Sequence, residues 1–71
     1  MADRFRKGDH VEWNTPQGPT TGHVERTSTG TITVGGTTLK GSEEDPVYVV
    51  KSEKTGKEAG HKAGALRKRS S

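Results

Sequence analysis

His10, Glu12, His23 and Glu25 are the residues of this chain that come closest to a reactive constellation. Within each pair the members stand two apart, so on extended strands they share a face. With Trp13 opposite Gly22, Glu12 falls opposite His23 and His10 opposite Glu25, which gathers two imidazoles and two carboxylates on one surface. Such a set can ligate a divalent metal ion but does not demand one. A closed structural zinc site takes four ligands, commonly with thiolates, and cross-strand acid–histidine pairs are ordinary surface. The chain has no cysteine, and no metal or other cofactor is expected. Its remaining carboxylates and serines form no nucleophile elbow, phosphate-cradling loop or paired acid–base arrangement, so no catalytic residue is assigned. The reading is non-enzymatic, with no small-molecule substrate.

Two binding chemistries remain. Residues 1–50 carry five basic and seven acidic side chains, whereas residues 51–71 carry seven basic and two acidic ones. The basic set, Lys51, Lys54, Lys57, Lys62, Arg67, Lys68 and Arg69, is placed to neutralise phosphates, with a salt-dependent affinity for nucleic acid. The alternative is a protein or peptide partner, seated by β-augmentation or in a groove beside Trp13 or Tyr48. An aromatic box for a methylated lysine or arginine would have only Trp13 and Tyr48, with Glu12, to build it. Single-strand binders stack bases on exposed rings. With Phe5 and Trp13 needed inside, Tyr48 is the one ring left for a surface.

These groups must be positioned by short strands. Lys7-Gly8-Asp9 is a tight turn. After it His10 to Asn14 alternates, with Val11 and Trp13 on one face. Thr15-Pro16-Gln17-Gly18-Pro19 reads as a loop, because two prolines lack the amide donor, and the alternation resumes from Thr21 to Arg26. Gly22, lacking a side chain, leaves room for the indole. Gly35-Gly36 between alternating segments predicts a primed-turn hairpin that pairs Val34 with Thr37 and Ile32 with Leu39. Val47 to Ser52 and Glu58 to Lys62 make a third hairpin around Lys54-Thr55-Gly56-Lys57. Ala63 to Arg67 fits one helical or 3₁₀ turn that seats Leu66.

Five or six short strands with a short C-terminal turn and no long helix indicate an all-β, SH3-like barrel over residues 5–67. Residues 1–4 are expected to be disordered and 68–71 to form a frayed basic tail. With 24% apolar residues in a chain of 71, Phe5 and Trp13 become the largest fillers of a small core. The longest apolar run, Val47 to Val50, is far short of a membrane span, and the N-terminus lacks a secretory hydrophobic region. A cytoplasmic monomer is expected.

The ordered set Phe5-Arg6-Lys7-Gly8-Asp9-His10-Val11-Glu12-Trp13, Gly22-His23-Val24, Asp45-Pro46-Val47-Tyr48-Val49-Val50, Lys54-Thr55-Gly56-Lys57, His61-Lys62 and Leu66 resembles the small hypervirulence-associated TUDOR-domain proteins of bacteria and fungi. The likeness spans residues 5 to 68. It implies an SH3-like or Tudor-type barrel and carries no established activity. Ala63 departs from the family pattern, in which proline follows the His-Lys pair.

Overall fold

The structure is a computed structural model that describes residues 5–69; the expected disordered segment 1–4 and the last two residues lie outside the described residues. Seven strands follow in chain order: β1 (His10–Thr15), β2 (Gly18–Ser28), β3 (Thr31–Val34), β4 (Thr37–Lys40), β5 (Val47–Ser52), β6 (Glu58–Lys62) and β7 (Arg67–Lys68), with a 3₁₀ turn at Ala63–Ala65 between the last two. Five strands form one antiparallel sheet in the order β6-β5-β2-β1-β7, and β3 pairs with β4 alone. β6 and β7 are opposite edges of that sheet, yet only four residues, 63–66, separate them. A flat five-stranded sheet would hold its edges about 19 Å apart. A 3₁₀ turn rising ~2 Å per residue cannot cross that distance, so the sheet curls and brings its two edges toward each other. This is the SH3-like barrel expected from the alternation, and the resemblance implies the same Tudor-type shape. No helix among the described residues is long and apolar enough to cross a membrane.

β7 departs from the expectation of a frayed tail. Lys68 pairs with Val11, Arg67 with Glu12, and the Arg69 amide donates to the His10 carbonyl at 2.8 Å. These charged residues have no hydrophobic period to advertise a strand. Backbone bonding to the exposed edge of β1 orders them.

The β1–β2 register also differs from the one expected, by two residues. His10 stands opposite His23, Val11 opposite Gly22 and Trp13 opposite Thr20. A slip of two keeps every side chain on its face, so the apolar pattern alone cannot distinguish the two registers. The turn decides. Pro16 and Gln17 form a two-residue connection in which Thr15 Oγ1 accepts from the Gln17 amide (3.2 Å) and donates to the Gly18 carbonyl (2.7 Å), while Gly18 adopts φ +111°. The ladder therefore runs on through Gly18 and Pro19, expected to be loop. Pro19 is tolerated because pairing of β2 with β5 begins only at Gly22.

Packing occupies both faces of β5. The inner face joins Phe5, Val11, Trp13, Val24, Tyr48, Val50 and Leu66 into the main core, with Phe5 edge-on to Tyr48 at 5.3 Å between centroids. The Lys7-Gly8-Asp9 turn delivers Phe5 there: the Gly8 amide bonds the Val24 carbonyl (2.7 Å), and the Val24 amide bonds the Asp9 carbonyl (3.0 Å). On the outer face Val47 and Val49 are buried along with Val34 of the β3–β4 hairpin. The register of that hairpin is the one expected, Val34 with Thr37 and Ile32 with Leu39. Its Gly35 and Gly36 both take positive φ, +58° and +82°, as a primed turn requires.

Candidate functional site

The β1–β2 and β5–β6 turns flank a cleft of about 330 Å³. Trp13, Pro16, Pro19 and Ala59 give it an apolar lining, and Lys54 and Lys57 contribute its cationic rim. Both turns are held by their own hydrogen bonds. Around Gly56 (φ +74°), the Gly56 amide donates to the Ser52 carbonyl (2.8 Å) and the Ser52 amide to the Lys57 carbonyl (2.9 Å). The Ser52 hydroxyl sits 3.4 Å from both Thr20 Oγ1 and the Thr55 amide, which ties the turn to β2. Trp13 is 5% exposed, a core ring with one edge reaching the cleft. Lys54 and Lys57 are exposed and have no ion-pair partner among the described residues. Glu58 also borders the cleft, with its carboxylate 3.7 Å from Arg26 Nη1.

Three of the remaining basic residues expected to meet phosphates have acidic partners. Lys62 Nζ donates to Asp45 at 2.8 Å, Arg69 Nη1 to Glu12 at 3.1 Å, and Lys68 Nζ lies 4.0 Å from Asp9. Arg67 is exposed on the edge strand β7, opposite Glu12. Lys51 stands on the outer face of β5 between His23 and Glu58.

Tyr48 requires a correction as a binding residue. It is 1% exposed, because β5 is covered on both faces and its even-numbered side chains fill the barrel. It offers no surface for a base, a peptide or a methylated side chain. The aromatic box is lost with it.

Both acid–histidine pairings also change. With the register moved, His10 and His23 face one another with rings 4.9 Å apart and 18° from parallel. Glu12 turns to Arg69, while Glu53 of the β5–β6 turn bonds His10 Nε2. Glu53 comes from 43 residues away, and no local pattern announces it. A β-bulge between Val24 and Arg26 brings Glu25 beside Glu58. The hydrogen bond with Glu58, then partial desolvation and the Glu58 charge, push the Glu25 carboxyl above its ordinary value; Lys51 and Arg26 pull the other way. His61, half-buried on the inner face, lies against Trp13 with centroids 5.6 Å apart. Its Nε2 is buried with no hydrogen-bond partner among the described residues, and desolvation lowers its pKa.

An apolar floor, hydroxyls engaged within the turns and two free ammonium groups are equipment for holding a ligand. Residues 8–66 match the sequence profile described as the hypervirulence associated proteins TUDOR domain. The chain belongs to this family. The match runs from the Gly8 turn to Leu66 and so takes in the whole curled sheet except β7. Both cleft turns fall inside the TUDOR domain, which as a type is a small binding module. No curated protein and no solved structure matches the chain.

Proposed function

We propose that this TUDOR-domain protein is a protein-interaction module that holds an extended acidic peptide segment in the cleft beside Trp13. One observation carries the reading: an apolar floor of Trp13, Pro16, Pro19 and Ala59 lies next to Lys54 and Lys57, whose charges are not neutralised by acids of the described chain. Apolar contact supplies affinity, and the two ammonium groups favour a segment of opposite charge. Nucleic acid is the second reading, supported by the same two lysines with Lys51 and Arg67. It is weakened by the acids beside Lys62, Lys68 and Arg69 and by the burial of Tyr48, which leaves no stacking platform of the kind single-strand binders use.

The test is an amide and indole NMR titration with proline-containing acidic hexapeptides and, separately, with short single- and double-stranded DNA and RNA at two salt concentrations. Peptide binding is expected to shift the Trp13 indole N–H and the amides of Gly18, Lys54 and Lys57. Charge reversal at Lys54 and Lys57 together should remove those shifts. Binding to nucleic acid alone, with shifts spread to Lys62, Arg67 and Lys68 and a steep loss of affinity in salt, would reject the peptide reading in favour of the second one.

A further inference from the structure

The register of β1 and β2 creates a cluster that the alternation does not foresee. His10 and His23 are directly opposed on neighbouring strands, and Glu53 reaches them from the β5–β6 turn. We propose that His10, His23 and Glu53 form a surface site for a divalent transition-metal ion of the zinc class, on the outer face and apart from the peptide cleft.

The donor set is the first argument. Two imidazoles and one carboxylate are the protein ligands of open zinc sites, in which water or an incoming group takes the fourth position. Imidazole selects zinc, copper and nickel over magnesium and calcium, which prefer all-oxygen surroundings. With no sulfur among the ligands and one position open, the site is of the open kind and not a closed structural one.

Geometry is the second. One candidate donor atom from each of the three side chains lies within 4.8 Å of the others. Around a tetrahedral ion with bonds of ~2.0–2.1 Å, donors stand about 3.3 Å apart. The required closure is within reach of side-chain rotation, since His23 and Glu53 are exposed and His10 is half-buried. The backbones beneath are fixed. His10 is held on one side by β2 and on the other by the Arg69 amide; His23 lies between β1 and β5; the Glu53 amide donates to the Thr21 carbonyl at 3.0 Å. The existing contact from His10 Nε2 to Glu53 is one that a metal would replace with two coordinate bonds.

Charge sets the expected strength. The site has one carboxylate, and Lys51 is the cross-strand neighbour of His23, so the ion competes with a nearby ammonium. The imidazoles ligate only as neutral rings, so protons compete with the ion for them.

The experiment titrates the full chain with zinc chloride, and with magnesium chloride as control, by calorimetry and by NMR of the imidazole nitrogens at pH 7.0 and 5.5. Saturable binding of one zinc per chain is expected, with ring shifts at His10 and His23, none at His61, and no response to magnesium. Separate His10→Gln, His23→Gln and Glu53→Gln variants should each weaken zinc binding at least ~10-fold while retaining the native amide spectrum. Absence of saturable binding would overturn the proposal. So would affinity unchanged by Glu53→Gln, or one zinc per two chains, which would mean an ion bridging copies. Because none of the three residues lines the cleft, these outcomes are independent of the peptide reading.

Discussion

The indole of Trp13 occupies the space left by the missing side chain of Gly22: its Cη2 lies 2.8 Å from where a Cβ at Gly22 would stand. The same Cβ would run into the Lys51 carbonyl of β5. A strand backbone between two partners cannot withdraw cheaply, so Gly22→Ala is an overpacking substitution, expected to destabilise the fold by ~1–3 kcal/mol. Urea denaturation should show a lower midpoint with an unchanged slope. A midpoint equal to that of the wild type would contradict this packing.

Removing the indole should be more severe. Trp13 is the largest side chain of the core, and aromatic-to-alanine changes in cores cost ~3–5 kcal/mol, against a stability of ~5–15 kcal/mol for domains in general. At 71 residues the lower end of that range applies. Trp13→Ala is expected to lose its cooperative thermal transition, as followed by far-ultraviolet circular dichroism.

His61 makes the fold sensitive to acid. Its folded pKa is lowered by desolvation, below an unfolded value near ~6.5. The unfolded chain therefore binds the proton first. The stability associated with the neutral ring is present above ~6.5 and is lost as pH falls through the lower folded pKa. The urea midpoint of the wild type should fall over that window more than that of His61→Gln, whose side chain does not titrate. The difference between the two proteins isolates the contribution of His61.

Glu25 works with the opposite sign. Its pKa is raised, first by the hydrogen bond with Glu58, so the protonated form favours the folded state. That contribution is full below the unfolded carboxylate value and disappears as pH rises through the raised one. Glu25→Gln retains a hydrogen-bonding group without the charge. Its midpoint relative to wild type should therefore rise between pH 4 and pH 7; a difference independent of pH would show that the two carboxyls do not interact in solution.

Much of this architecture was legible in the sequence, and the illegible parts have definite causes. Gly35-Gly36 declared both its turn and its register, since two successive positive φ values suit glycine. The scarcity of apolar residues identified Phe5 and Trp13 as core. The β1–β2 register was ambiguous because a shift by two preserves every inside–outside assignment, and only the hydrogen bonds of Thr15 around Pro16 resolve it. Tyr48 looked available because a continuous Val-Tyr-Val-Val run does not reveal that both of its faces are covered. Glu53 could not be assigned to the histidines, since its partner lies at the other end of the barrel sequence. The pairing of Lys62, Lys68 and Arg69 likewise depends on Asp45, Asp9 and Glu12, acids from the first two-thirds of the chain.

The covering of β5 has a consequence for colloidal behaviour. Val47, Tyr48, Val49 and Val50 form a β-prone, uncharged stretch of the type that stacks between molecules when laid open. The small β3–β4 hairpin shields one flank of it through Val34. We predict that Val34→Asp, by loosening that shield, will increase light scattering on standing at high concentration before the barrel itself melts. The hairpin then acts as a gatekeeper of solubility, and a modest defect at its tip turns a dispersed protein into a self-associating one.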